Sequence, residues 1–401
     1  MRWAMRDQWS TIRLGDVLSI DNEKLGNQVV EPAVFTLSKY DGVVFASEYF
    51  DKRIASVDLE GYKVLKPDEW AYSTIHIDEG SIARNRTGVT GVLSPMYTTL
   101  TWVGKDHEPG FFELLLRSPT MLNTYRSNAQ GTVNRRRSLP YQAFALIQID
   151  VPPLLEQRRI VDFIEVIDEQ LGATYEVAQR ARESANAARS ESIDWTQSLR
   201  PLGEVAIIES KLVNPTLDDY RNMPHIGVDK IVSSEGTLLP LLSAEQDGVT
   251  SGKHLFDSRD VIYSKIRPEL RKAAFPASIG LCSADAYPLR PCAELIPEYL
   301  LEVLLSDSFT QQSVAKSGRT KMPKINRREL FAIEIPVPAL EEQHEVADFI
   351  GMLRDVGIAA HASRQALLEL RYALLTSALS GYLEIPNSYD ALLEGPYDRD
   401  C

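Results

Sequence analysis

The sequence predicts an α+β protein: two similar mixed α/β domains joined by two long helices packed as an antiparallel coiled coil. Three observations predict this fold class, namely a long internal repeat, strand-like runs in both copies, and a heptad pattern after each copy. A chain of 401 residues is long for one domain and suits two or three. We expect domains at 1–152 and 199–338, long helices at 153–198 and 339–383, and an acidic tail at 384–401.

The internal repeat is the strongest of these signals. The segment VPPLLEQRRIVDFI (151–164) returns as VPALEEQHEVADFI (337–350), 186 residues later. Other landmarks recur in the same order with offsets between 186 and 191 residues: LGDV and LGEV, YSTI and YSKI, ELLL and EVLL, FALIQIDVP and FAIEIPVP. Ordered recurrence at a nearly fixed interval indicates two copies of one module.

Each copy begins with a globular part. Short strand-like runs punctuated by Gly, Pro, Asn and Asp occur in both: VVFAS, YKVL, TLTWV and ALIQI, then AIIES, DVIYS and FAIEI. A short helix is expected near 110–126 and again near 297–315. Pro152-Pro153 and Val337-Pro338 end the last strand of each copy, because proline cannot pair within a ladder but is well tolerated at a helix start.

A long helix is predicted after each proline segment. Apolar or small residues recur there at alternating spacings of three and four, which is the pattern of a coiled-coil seam. Since each helix needs a partner for its seam, the two helices most simply pack on each other. The residues predicted to form this packing are Ile160, Ile164, Ile167, Leu171, Ala178, Ala181, Ala185, Leu353, Val356, Leu367, Leu370 and Leu374. The pattern also places Phe349 in the seam, and the glycines at 172, 351 and 357 predict kinks or frayed turns.

Composition excludes several classes of protein. No apolar run approaches the ~18 residues that span a bilayer. The start, MRWAMRDQWS, lacks the apolar core of a secretory signal. Cys282, Cys292 and Cys401 show no CxxC spacing, which fits a reducing compartment. We expect a cytoplasmic protein with no membrane partner.

The repeated segments resemble a known family. SGRTKMPKINRRELFAIEIPVPALEEQHEVADFI (317–350) and GTVNRRRSLPYQAFALIQIDVPPLLEQRRIVDFI (131–164) resemble the end of the DNA-specificity domain of type I restriction-modification specificity subunits. The resemblance covers nearly the whole chain. The first copy departs from the pattern, since no Ser precedes Gly131 and Asp150 stands where the second copy has Pro336.

The resemblance implies a division of labour. Each globular part would be a target-recognition domain that reads one half of a split site in double-stranded DNA. The helices would fix the spacing between the halves and dock two methyltransferase subunits, and restriction/translocase subunits would join that complex. The chain itself would be non-catalytic and carry no cofactor or metal, while S-adenosylmethionine, ATP and Mg would be bound by the partner subunits.

Four clusters are candidates for DNA contact, because Lys and Arg suit phosphates while Arg, Asn, Gln and Lys suit base edges. They occupy corresponding positions in the two copies. Their members are Tyr72, Ser73, Arg84, Arg86, Arg126, Asn134, Arg135, Arg136, Arg137, Tyr263, Ser264, Lys265, Arg267, Arg271, Lys272, Lys316, Arg319, Lys321 and Lys324.

Alternative functions stay open at this point. The net charge of −13 favours a coiled-coil scaffold or adaptor that does not bind DNA. An enzyme is disfavoured: Pro153 is followed by Leu154 rather than the aromatic residue of an adenine-methyltransferase loop, and residues 248–254 (GVTSGKH) fall one residue short of a phosphate-binding loop. The recurring Glu-Gln pairs at 156–157 and 342–343 are interpreted as first-turn caps, in preference to ties between helix and domain.

Overall fold

A computed structural model describes residues 8–26, 32–50, 58–130, 137–318, 323–383, 385–386 and 389–390. The chain forms two compact units. The first unit comprises 1–170 and 367–401, and the second comprises 171–366. Both boundaries fall inside the long helices, so each unit contains one globular module and part of each helix.

The first module is built from short strands and helices. Its strands are β1 Ser10–Arg13, β2 Leu18–Asp21, β3 Ala33–Ser38, β4 Gly42–Phe45, β5 Lys63–Leu65, β6 Trp70–Ser73, β7 Ile82–Arg84, β8 Gly91–Leu93, β9 Tyr97–Trp102 and β10 Gln148–Val151. Its helices are α1 Ala46–Tyr49, α2 Pro109–Leu116, α3 Pro119–Asn128 and α4 Tyr141–Ala145, followed by the long α5 Leu154–Ser192.

The second module follows the same plan. Its strands are β11 Leu199–Pro201, β12 Ala206–Ile207, β13 Leu212–Val213, β14 Pro224–Ile226, β15 Leu242–Ser243, β16 Lys253–Phe256, β17 Val261–Ser264, β18 Ala273–Ala274, β19 Gly280–Cys282, β20 Ala286–Pro291 and β21 Glu334–Pro336. Its helices are α6 Leu202–Val205, α7 Pro297–Leu305, α8 Asp307–Lys316 and α9 Arg327–Phe331, followed by the long α10 Leu340–Leu379.

The sheets of the two modules correspond, except that the second sheet has four strands in the first module, in the order β4-β3-β8-β5, and five in the second, in the order β13-β16-β19-β14-β15. The antiparallel order β2-β9-β6-β7 in the first module matches β12-β20-β17-β18 in the second. A parallel pair lies within a second sheet of each module, β3 with β8 and β14 with β19. The ribbon of β1 and β10 matches that of β11 and β21, and each ribbon brings the start of the module beside its end. The predicted α+β class with two similar domains is confirmed.

Each module shares its hydrophobic core with the long helices. In the second unit, Ala185 and Ala188 of α5 and Ile350 of α10 are buried with the residues of α7. In the first unit, Ile160 of α5 and Ala378 of α10 are buried with those of α2. In the first unit, the early part of α5 therefore packs with the late part of α10. In the second unit, the late part of α5 packs with the early part of α10, as in an antiparallel pair.

The seam of α5 coincides with the predicted positions. Leu171 is half-buried, and the other predicted α5 residues are buried: Ile160, Ile164, Ile167, Ala178, Ala181 and Ala185. The helix is continuous through Gly172, as α10 is through its own two glycines.

The predicted seam of α10 is wrong at every second position. Val356 and Leu370 are 50% and 48% exposed, and Phe349 is 49% exposed. Leu353, Leu367 and Leu374 are half-buried, as is consistent with a seam. The inward positions between them lie one residue later than predicted: Ile350, Gly357, Arg364, Arg371 and Ala378. The prediction sought apolar residues and so passed over two arginines, whose aliphatic stems cover the seam while their charged ends find partners.

Those arginines have partners within their own units. In the first unit, Arg371 Nη2 donates to Asp168 Oδ2 at 2.8 Å, which joins α10 to α5. In the second unit, the Arg364 guanidinium lies 5.9 Å from the ring centroid of Tyr175. At Gly357, an added Cβ would lie 3.6 Å from Ala181 Cβ, an ordinary contact distance.

The paired glutamines tie each long helix to its module, contrary to the capping interpretation. Gln157 Oε1 accepts from the Glu108 backbone N–H at 2.9 Å, directly before α2. Gln343 Oε1 accepts from the Ile296 N–H at 3.0 Å, directly before α7. Both glutamine side chains are fully buried. Each also donates through Nε2 to the backbone carbonyl five residues earlier, at 2.8 Å.

Part of the acidic tail is docked on the first unit. Ile385 is buried in the core, and Tyr389 packs on Phe163. These residues of the predicted acidic tail are therefore held against the first unit, while 391–401 lie outside the described residues. Among the described helices, none combines the length and apolar character needed to cross a membrane.

Candidate nucleic-acid interface

In the second module, the structure brings two predicted basic segments together. The Ile325 N–H donates to the carbonyl of Lys265 at 2.9 Å, and the Arg267 N–H donates to the carbonyl of Pro323 at 2.9 Å. These two hydrogen bonds hold the loop after β17 against the segment before α9. The predicted contacts Arg319 and Lys321 lie in the segment 319–322, outside the described residues.

The first module contains the corresponding connection. The Leu139 N–H donates to the carbonyl of Thr74 at 2.8 Å. By the internal repeat, Thr74 corresponds to Lys265 and Leu139 to Ile325. The Gln130 N–H donates to the Ser138 carbonyl at 2.8 Å, just as the Gly318 N–H reaches the Lys324 carbonyl at 3.4 Å. The predicted contacts Asn134, Arg135 and Arg136 lie between Gln130 and Ser138 in the sequence, outside the described residues.

Several predicted basic residues are exposed in or next to the segments that these hydrogen bonds join. Arg267, Lys316 and Lys324 are exposed in the second module, and Arg126 and Arg137 in the first. Arg267 has left-handed backbone, with φ of 49°. Such a conformation costs a non-glycine residue on the order of 1–3 kcal/mol and must be held by its surroundings. The hydrogen bond from the Arg267 N–H to Pro323 supplies part of that support.

Carboxylates orient some of the basic side chains. Asp285 lies 3.2 Å from Lys324 Nζ and 3.7 Å from Lys265 Nζ. Arg271, which also has left-handed backbone, pairs with Asp307. Sequence reasoning missed Asp285, because neither a motif nor the internal repeat marks this residue. Exposed pairs of this kind contribute at most about 1 kcal/mol each, so phosphate oxygens could replace the carboxylates.

Two predicted arginines of the first module form ion pairs with carboxylates of the same module. Arg86 forms two hydrogen bonds to Glu113, through Nε at 2.9 Å and Nη2 at 2.8 Å. Arg84 is largely buried and pairs with Asp68 at 2.7 Å. We assign Arg84 a structural role, because its burial between these acids leaves little of it for a ligand.

Four predicted DNA contacts are wrong because they are core residues. Tyr72 and Ser73 lie in β6, and Tyr263 and Ser264 lie in β17, and all four are buried. Every residue of both strands is buried, since each strand is central in its sheet and covered on both faces. Burial raises the pKa of Tyr72 and of Tyr263 to about 12, so both phenols stay protonated. Lys272 is half-buried and donates to the Val228 carbonyl at 2.7 Å, which also limits its reach.

The phosphate-loop-like segment does not have the required setting. Lys253 begins strand β16 and is buried, and its Nζ donates to the Ser251 carbonyl and hydroxyl at 2.8 Å. A phosphate-binding loop requires a helix at that point. Among the residues that the structure describes, no group of three or more His, Cys, Asp or Glu side chains could hold a metal ion.

Comparison with known proteins gives a consistent result. Residues 194–370 match the profile of the Type I restriction modification DNA specificity domain. Over 143 residues the chain is 40% identical to the type I restriction enzyme EcoDI specificity subunit of Escherichia coli. That match covers 36% of this chain and 31% of the relative, so it spans about a third of the relative's length.

Two solved structures share the fold over most of the chain. The type I restriction-modification S subunit from M. genitalium has a TM-score of 0.58 at 11% identity, covering 94% of this chain and 97% of that one. A chain solved in work on complex assembly and conformational transition of the type I R-M system has a TM-score of 0.54 at 18% identity, covering 94% and 99%. The second module is therefore similar in sequence to the DNA specificity domain of type I restriction-modification systems, and most of the chain shares the fold of these two solved structures.

Proposed function

We propose that the chain reads a bipartite, asymmetric DNA site, with each module recognising one half. The observation that carries this proposal is the equivalent hydrogen bond in the two modules, Leu139 to Thr74 and Ile325 to Lys265. In both places it fixes the loop that follows a central strand, β6 or β17, against the basic segment that precedes a short helix, α4 or α9. The side chains on these loops differ between modules, so the two half-sites differ in sequence.

In this proposal the long helices recruit two methyltransferase subunits, through which restriction/translocase subunits join. Two recognition modules on one chain bind a split site more tightly than either module alone, because the second contact is intramolecular. The chain performs no chemistry, and S-adenosylmethionine, ATP and Mg²⁺ bind the partner subunits. The similarity to a specificity subunit of Escherichia coli supports this division of labour.

The experiment is genome-wide mapping of adenine methylation in the source organism with and without the gene. We expect a split, asymmetric motif to lose its methylation on deletion. Replacing residues 1–152 by those of a homologue should then change one half of the motif and leave the other unchanged. A methylation pattern that is identical in the two strains would overturn the proposal.

An adaptor that does not bind DNA is the competing function, and the net charge of −13 favours it. The two functions differ in the salt dependence of binding to random duplex. A reader releases counterions from phosphates, so its affinity falls steeply with salt, with a slope of about −0.9 per phosphate contacted. An adaptor would not bind random duplex at any salt concentration.

A further inference from the structure

The first turns of α5 hold an aromatic-acidic segment of the same chain. The ring of Tyr389 meets that of Phe163 edge to face, with centroids 5.9 Å apart. Asp390 accepts two hydrogen bonds from Arg159, through Nε at 2.6 Å and Nη2 at 2.5 Å. Phe163 and Arg159 lie one helical turn apart, so one face of α5 binds an aromatic residue and the acid that follows it.

The start of α10 carries the corresponding face. Gln157 and Gln343 make the same contacts in their modules, which aligns the two helices residue by residue. Counting from these glutamines, Phe163 corresponds to Phe349 and Arg159 to Glu345. Phe349 is 49% exposed and Met352, one turn later, is 62% exposed. We call Glu345, Phe349 and Met352 the α10 face.

The charge beside the aromatic residue is reversed on the α10 face. Glu345 stands where α5 has Arg159, and Glu341 and Asp348 flank it; all three acids are exposed. Among the described residues, none forms an ion pair with Glu345. The tail of a second copy does not fit here, because Asp390 would meet these carboxylates. The fitting ligand keeps the aromatic residue and replaces the acid by Lys or Arg.

We propose that the α10 face docks a segment of a methyltransferase subunit in which an aromatic residue is followed by Lys or Arg. The identity of the partner rests on the proposed function, whereas the chemistry of the segment rests on the contacts of Tyr389 and Asp390. An apolar ring covers Phe349 and Met352, and the neighbouring cation pairs with Glu345. Burial of the aromatic ring supplies most of the affinity and the ion pair supplies the selectivity.

The test uses the full-length chain and two labelled peptides in a fluorescence anisotropy titration. One peptide has the sequence of residues 385–394, IPNSYDALLE, and the other carries the Asp390→Lys change. We expect the Lys peptide to bind the wild-type chain roughly tenfold or more tightly than the Asp peptide. Phe349→Ala should weaken binding of the Lys peptide by a similar factor, and Glu345→Arg should reverse the preference between the peptides.

Matched controls are Val177→Ala and Glu183→Arg, which change an exposed valine and an exposed acid elsewhere on α5. Neither should alter the titration. The proposal is overturned by any of three results: no saturable binding of the Lys peptide, equal binding of the two peptides, or equal effects of the control and face variants. Binding of the unmodified chain to DNA is scored separately, so failure of DNA reading and failure of this docking face are distinguishable.

Discussion

Arg189 on α5 donates through Nε to Glu302 on α7 at 2.6 Å, with only 3% and 0% of the two side chains exposed. Arg354 on α10 donates to the other carboxylate oxygen of Glu302. Both long helices are therefore joined to the second module by one buried acid. The corresponding residue of the first module, Glu113, is partly exposed and pairs with Arg86 of the same module.

Replacement of Glu302 should be strongly destabilising. Glu302→Ala leaves two inward-facing guanidinium groups without their carboxylate, which costs on the order of 3–5 kcal/mol. The matched change in the first module, Glu113→Ala, should cost about 1 kcal/mol or less, because that pair is partly solvated. Urea unfolding of the two variants would measure the difference. Equal losses of stability would contradict the assigned role of Glu302.

The glutamine anchors should each contribute measurably to stability. Gln343→Ala leaves the Ile296 N–H and the carbonyls of Glu294 and Pro338 without their partner, at a cost of about 1–3 kcal/mol. Gln157→Ala should cost a similar amount in the first unit. The control is Gln311→Ala, an exposed position on α8, which should lie within about 0.5 kcal/mol of wild type. A capping role alone would give the anchors the smaller effect of the control.

The repeat made much of this architecture predictable. The landmarks that recur 186–191 residues apart correspond to matching strands and helices, so the two modules and the start of each long helix followed from the sequence. The role of Gln157 did not follow, because its partner, the Glu108 N–H, is 49 residues away and backbone groups leave no mark in a sequence.

The candidate interface was predicted less well than the fold. Tyr72 and Tyr263 were chosen for chemistry that suits DNA, but the all-buried strands β6 and β17 hold them in the core. The sequence cannot show that a strand is covered on both faces, because this depends on residues distant in the chain. In the second module, two of the predicted basic segments meet through tertiary hydrogen bonds, such as Ile325 to Lys265, and the sequence pattern did not predict this proximity.

The exposed basic residues should act through the salt dependence of DNA binding. Arg267→Ala and Lys324→Ala should each reduce the magnitude of the salt slope by about 1 if the residue contacts a phosphate. Arg180→Ala, which removes an exposed arginine on α5 that pairs with Glu176, should leave the slope unchanged. A slope that is the same for all three variants would exclude Arg267 and Lys324 from phosphate contact.

The buried tyrosine offers a complementary control. Tyr263→Phe removes only the hydroxyl of a core residue, so we expect DNA affinity and methylated motif to stay unchanged. A change in the recognised DNA motif would instead indicate that Tyr263 contacts a base. Thermal unfolding of the same variant would show whether the hydroxyl stabilises the second unit.

Acid sensitivity should depend on the cluster around Arg290. Hydrogen bonding from Arg259, together with the charge of Arg290, lowers the pKa of Asp257 to about 2. Because this pKa is depressed in the folded chain, the stabilisation is complete above the ordinary value near 3.8 and is lost as pH falls towards 2. Asp257→Asn should therefore lower stability at pH 7 and reduce the loss between pH 4 and about 2, as measured by urea unfolding across that range. A wild-type pH dependence in this variant would assign the acid sensitivity to other groups.

The register of the α10 seam gives a direct contrast between neighbouring leucines. Leu367 is half-buried on the inward side, whereas Leu370, three residues later, is 48% exposed. Leu367→Ala should therefore destabilise the chain by about 1–2 kcal/mol, since part of the side chain is removed from a packed seam. Leu370→Ala should stay within about 0.5 kcal/mol of wild type. A purely apolar heptad would give both leucines the same cost, because it places both in the seam. Equal costs would contradict the inward position of Arg371 in the seam.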